Sequence, residues 1–136
     1  MLKKTITYTD YNGVERTEDF YFNLSKAELA EMELSVDGGY AEMAKKIADT
    51  KNAPELVKLF KELILKAYGE KSADGRRFMK VDTNGAPLSI AFSQTEAYSE
   101  LFMELSQDAD SAAKFFTGVI PAELAKQVSA QMPTVV

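Results

Sequence analysis

The chain has 136 residues, 46% apolar and 27% charged, the proportions of an ordinary globular protein, and at this length folding buries roughly two-thirds of the surface of the extended chain. It contains no cysteine and no histidine, which excludes disulfide frameworks, thiolate or imidazole metal sites, and every catalytic scheme built on a histidine base. With 16 Lys and Arg against 21 Asp and Glu the net charge is −5, so a phosphate backbone is repelled and nucleic acid is not an expected partner. No stretch of about 20 apolar residues is available to span a membrane, and no apolar run follows Met1-Leu2-Lys3-Lys4 to complete a signal peptide. A cytoplasmic protein without cofactors is expected.

Residues 3–9 and 14–22 are rich in Thr, Tyr, Phe and Ile around Asp10-Tyr11-Asn12-Gly13, the pattern of two strands and a tight turn. A two-residue loop would set Ile6 opposite Asp19. A three-residue loop, Tyr11-Asn12-Gly13 with Gly13 left-handed, aligns Leu2, Ile6 and Tyr8 with Phe20 and Phe22 on one face and is preferred. That aromatic face must meet helices or another strand, because an isolated hairpin is marginal in water.

Ser25 and Glu28 form a capping box, with Leu24 and Leu29 placed as its hydrophobic staple. A helix therefore starts at Lys26 and stops near Ser35, and Gly38-Gly39 separates it from a second helix over 40–50. Pro54 opens a third helix running to Tyr68 and closed by Gly69. On a helical wheel Leu56, Val57, Leu59, Phe60, Leu63, Ile64, Ala67 and Tyr68 fill about half the circumference, which marks the central core helix and would tolerate a self-association face. Leu65 falls outside that arc, between Lys58 and Lys61.

Residues 69–92, with Gly69, Gly75, Gly85 and Pro87, read as loop with short extended pieces at 78–81 and 88–92. Ser93-Gln94-Thr95-Glu96 is a second capping box, predicting a helix to about Ser106. Asp108 or Asp110 caps a helix through Phe115 and Phe116 that Gly118 closes, and Pro121 opens a last one to about Ala130. The expected fold is α+β and mostly helical: an N-terminal β-hairpin followed by five or six helices. A single domain is expected over 1–136, comprising a hairpin (1–24), a helical body (25–130) and a flexible tail (131–136).

Two surface features are candidates for binding. Lys71, Arg76 and Arg77, within the one basic stretch of the chain (residues 71–80, net +3), suit an anion, since guanidinium forks take phosphate or carboxylate groups in bidentate fashion. The P-loop spacing is absent, and a solvated loop is the simpler reading. Glu96, Glu100 and Glu104 recur at every fourth position, with Met103 among them, opposite the apolar side of their helix. Like charges so spaced cost a few tenths of a kcal/mol per pair and would be relieved by a basic partner, and methionine adapts to protein surfaces. Together with Leu65 they are the candidate protein-binding residues, against the plainer reading of a solvated face.

The runs Phe20-Tyr21-Phe22-Asn23-Leu24-Ser25-Lys26-Ala27-Glu28-Leu29, Lys61-Glu62-Leu63-Ile64-Leu65-Lys66-Ala67-Tyr68-Gly69-Glu70-Lys71-Ser72, Asp74-Gly75-Arg76-Arg77-Phe78 and Phe92-Ser93-Gln94-Thr95-Glu96-Ala97-Tyr98 resemble the tail assembly chaperones of long-tailed phages of Gram-positive bacteria. The resemblance covers about residues 19–128. It implies a non-enzymatic protein that binds the helical tape measure protein, shields its apolar surfaces, helps recruit tail tube subunits, and leaves before the virion is finished. It supplies no site residues. Set against it are a minor structural protein of the tail or connector, a small-anion binding domain on Arg76 and Arg77, and an enzyme using carboxylates alone.

Overall fold

A computed structural model describes residues 1–35 and 53–121. The chain begins with an antiparallel pair, β1 (Leu2–Thr9) and β2 (Glu15–Phe22), in which Leu2 faces Phe22, Lys4 faces Phe20 and Ile6 faces Glu18. This is the register of the three-residue loop. Asp10 N–H reaches Val14 C=O at 2.9 Å, Gly13 N–H reaches Asp10 C=O at 3.0 Å, and Gly13 has φ 79°, a left-handed conformation that glycine adopts without steric cost. The Asp10 carboxylate accepts from the N–H groups of Asn12 and Val14 and from Arg16. The Arg16 bond is the main reason its acid sits below the usual carboxylate range.

Helix α1 (Lys26–Ser35) starts at the capping box: Glu28 N–H donates to Ser25 Oγ at 3.2 Å, and Ser25 N–H to Glu28 Oε1 at 2.9 Å. Leu24 and Leu29 are both buried, as a staple requires. The helix predicted over 40–50 and the one from Pro121 lie outside the described residues. Helix α2 (Ala53–Ala67) buries Phe60, Leu63, Ile64 and Ala67, a narrower arc than predicted. Val57 is 46% exposed, whereas Leu65, expected in solvent, is half-buried against the core.

The hairpin-plus-helices expectation is wrong in its central stretch. Gly69 does not end a helix in a loop. The chain passes from Ala67 directly into β3 (Tyr68–Lys71), which pairs with β2 and then with β4 (Phe78–Met79), giving an antiparallel four-stranded sheet of order β1-β2-β3-β4. With five helices among the described residues, the fold is an α+β sheet-and-helix body rather than a mostly helical one. The reason is steric as well as pairwise. A Cβ on Gly69 would lie 2.5 Å from Phe78 Cε2 and 2.7 Å from Met79 C=O, so only glycine lets β4 close over β3. Gly69→Ala is therefore expected to destabilise the protein by about 1–3 kcal/mol, measured by urea unfolding. A neutral substitution would mean that the two strands can separate at no cost.

Residues 88–93, read in part as extended, form the short helix α3 (Leu88–Ser93). A six-residue apolar run does not distinguish a buried strand from a buried helix by period. Ser93 is thus the end of α3, not a cap. Helix α4 (Glu96–Gln107) is capped by Thr95, whose hydroxyl accepts from Tyr98 N–H. Asp108 caps α5 (Ala109–Val119), accepting from Asp110 N–H. Gly118 lies inside the last turn of α5, where a Cβ would stand 3.1 Å from Leu2 Cδ1, so it serves the contact of α5 with β1 rather than a helix stop. The core collects where these elements meet: Phe22 is fully buried among Tyr68, Phe92 and Phe115, and Tyr68 stacks on Phe92 at 4.2 Å.

Candidate protein-binding site

The apolar side of α4 buries Ala97, Leu101 and Leu105. One flank of the helix then faces α2 and the other the hairpin. On the α2 flank lies a cleft of about 550 Å³, lined chiefly by Val57 and Lys61 of α2, Tyr98, Ser99 and Phe102 of α4, and Tyr11 from the hairpin tip. Val57, Lys61 and Leu65 succeed one another at intervals of four, so one stripe of α2 carries all three. Phe102 and Tyr98 are half-buried, which leaves aromatic surface accessible. Burial raises the pKa of the Tyr98 phenol. Met103, next to Phe102, is 48% exposed.

The three glutamates lie along the hairpin flank. Tyr11 Oη donates to Glu96 at 2.8 Å, which raises the Tyr11 pKa because the carboxylate favours the protonated phenol. Lys4 Nζ pairs with Glu104 at 2.8 Å. The chain's own strand β1 and turn thus supply much of the relief that a basic partner was expected to bring. Glu100, between them, is exposed and forms no ion pair among the described residues, so one carboxylate of the ridge remains open. Of the five protein-binding candidates, Glu96 lines the cleft, Leu65 shares the stripe of α2 that forms its wall, Met103 is exposed on α4 outside the cleft's lining, and Glu100 and Glu104 follow the far flank.

The basic stretch separates on folding. Lys71, Arg76 and Arg77 are exposed around the β3–β4 turn and form no ion pair among the described residues. The turn is closed by its own acid: Asp74 accepts from the Ser72 hydroxyl at 2.7 Å and from Arg76 N–H at 3.0 Å, which holds its carboxyl below the usual range. Lys80 leaves the cluster altogether. Its ammonium donates to Lys66 C=O at 2.6 Å and Asn23 C=O at 2.8 Å, and pairs with Glu28 at 3.1 Å. It therefore fastens the C-terminus of α2, where a cation is favoured by the helix dipole, to the hairpin exit and to α1. Burial lowers the pKa of Lys80, with Glu28 opposing.

Sequence reasoning missed Lys80 as a clasp and Val57 as a surface group. The period of α2 placed Val57 inside the apolar arc, and nothing local to residue 80 indicates partners 14 and 57 residues away. No group of three or more acids converges on a metal-sized site among the described residues, and none of the described helices is long and apolar enough to cross a membrane. Neither a curated protein nor a solved structure matches the chain. The family model described as phage tail assembly chaperone matches residues 1–135, effectively the whole sequence. Its sheet, clasped helices and α2–α4 cleft are accordingly those of a phage tail assembly protein: the chain belongs to the phage tail assembly chaperone family.

Proposed function

We propose that this chain acts, without catalysis, as a chaperone that holds the tape measure protein in the host cytoplasm, helps recruit tail tube subunits, and departs before the virion is complete. The observation that carries the reading to a surface is the α2–α4 cleft. Half-exposed Val57 and accessible Phe102 and Tyr98 form an apolar floor, and Lys61 and Glu96 supply opposite charges at its rim; Met103 is exposed on the outer face of α4. A groove of this composition suits the apolar stripe of an amphipathic helix, read at intervals of three and four. Glu100 suits a basic residue on the client's flank. Contacts of this kind are individually weak, which lets a polymerising tube protein displace the chaperone.

The test is co-expression with the tape measure and tail tube proteins of the same phage, scored by soluble recovery of each with the tagged chain. Met103→Glu should lower tape measure recovery by about fivefold or more, the loss of one apolar anchor, while leaving the fold intact by circular dichroism. Unchanged recovery with a folded Met103→Glu chain would remove the Met103 ridge from the client surface, and unchanged recovery with a folded Val57→Glu chain would move the client off this cleft. No recovery with the unaltered chain, and its presence in purified particles, would instead favour a minor structural protein of the tail.

A further inference from the structure

A second cleft, about 460 Å³ in volume, opens between β2 and β3 on a different part of the molecule. It exists because the pairing of these strands is short: Phe22 faces Tyr68 and Tyr21 faces Gly69, after which β3 pairs with β4 instead. The direction of the free backbone groups follows from the hydrogen bond at the end of β2. Asn23 N–H donates to Ala67 C=O at 2.8 Å on the β3 side. Backbone groups alternate sides along a strand, so Tyr21, Asp19, Thr17 and Glu15 turn the same way, while the residues between them pair with β1. Beyond Tyr21 these groups have no strand partner among the described residues.

The cleft has two chemically distinct faces. On the helix side Phe20 is half-buried, in ring contact with Tyr8 and Phe92, and Tyr68 stands beside it. The walls carry Glu18, Asp19 and Glu70 against Lys71, so they are negative on balance. Asp19 lies on the exposed face of the sheet with Thr5 and Thr17, where side chains of an added strand would stand opposite it. We propose that the open edge of β2 is a strand-addition site for an extended partner segment that alternates apolar and basic residues, the apolar ones on Phe20 and the basic ones on Asp19 and Glu15. Main-chain bonds would bind any extended segment, and the acids select its charge. This site is separate from the α2–α4 cleft and takes a partner of different secondary structure.

The probe is an acetylated Lys-Val-Lys-Val-Lys-Val-Lys peptide, with Glu-Val-Glu-Val-Glu-Val-Glu as its counterpart, titrated into the full chain and followed by calorimetry and amide exchange. In the free chain the Thr17 and Asp19 amides should exchange fast and those of Glu18 and Phe20 slowly; the basic peptide should protect the first pair. The acidic peptide should bind at least about tenfold more weakly. Thr17→Pro removes a donor on the free edge without touching the ladder to β1, and should reduce binding of the basic peptide about tenfold or more, equivalent to one or two main-chain bonds. Asp19→Lys should reverse the preference between peptides and decides the matter should the proline variant fail to fold. Thr17 and Asp19 amides already protected in the free chain, whether by another part of it or by a second copy, would overturn the proposal. So would equal binding of the two peptides, no binding of either, or affinities that Asp19→Lys leaves unchanged.

Discussion

Replacing Phe22 by alanine is expected to cost about 3–5 kcal/mol, the range for truncating a fully buried aromatic that cannot be refilled. Phe22 has no exposed surface and meets Tyr68, Phe92 and Phe115 at centroid distances of 5.8, 5.8 and 5.2 Å, each edge to face. These partners come from β3, α3 and α5, so one ring joins the hairpin to the three elements that follow it. The cavity left by alanine would be bounded by a backbone that pairs on both sides, with β1 through Leu2 and with β3 through Tyr68, and cannot collapse inward. Equilibrium urea unfolding of Phe22→Ala, with Phe22→Leu as the milder comparison, measures the effect. A loss under about 1 kcal/mol would show that the aromatic cluster rearranges around the gap.

Lys80→Met is expected to destabilise by about 2–3 kcal/mol, because methionine fills the space of the stem but leaves two carbonyls and a carboxylate without their charged donor. The Lys80 side chain is only 26% exposed, so solvent replaces the ammonium poorly. Lys80→Arg should restore part of the loss, since a guanidinium keeps charge and donors but not the compact geometry. The pH dependence has a definite sign. Burial lowers the Lys80 pKa below the 10.5 of a free lysine, so between the folded and the unfolded pKa the unfolded chain binds more protons than the folded one and stability rises with pH. Tyr68 and Tyr98, raised above 10.0 by burial, act in the opposite direction at the same alkaline end. The contribution of Lys80 is therefore read as the difference between the unaltered protein and Lys80→Met across that window, and an identical pH profile for the two would remove Lys80 from the clasp.

The sequence by itself determined what is decided within four or five residues. The Ser25–Glu28 capping box, the Tyr11-Asn12-Gly13 turn with its register and the Asp108 cap all form from neighbours along the chain, and each is found where its residues dictate; the stripe of α2 was legible only in part, through Phe60, Leu63, Ile64 and Ala67. The resemblance to tail assembly chaperones over about residues 19–128 was legible for the same reason, since it resides in contiguous strings of residues, and the family match extends it to residues 1–135. Only the tertiary structure decided the pairing of β3 with β2 and β4, because Tyr68-Gly69 after a helix reads as a stop until Phe78 is known to approach. It also decided that α3 is helical, that Lys80 turns inward, and that Glu96 and Glu104 meet Tyr11 and Lys4. Each of these joins residues far apart in sequence, and chain order carries no term for such contacts. They are selected by the free energy of the assembled core, in which burial and satisfied polar groups outweigh local preference.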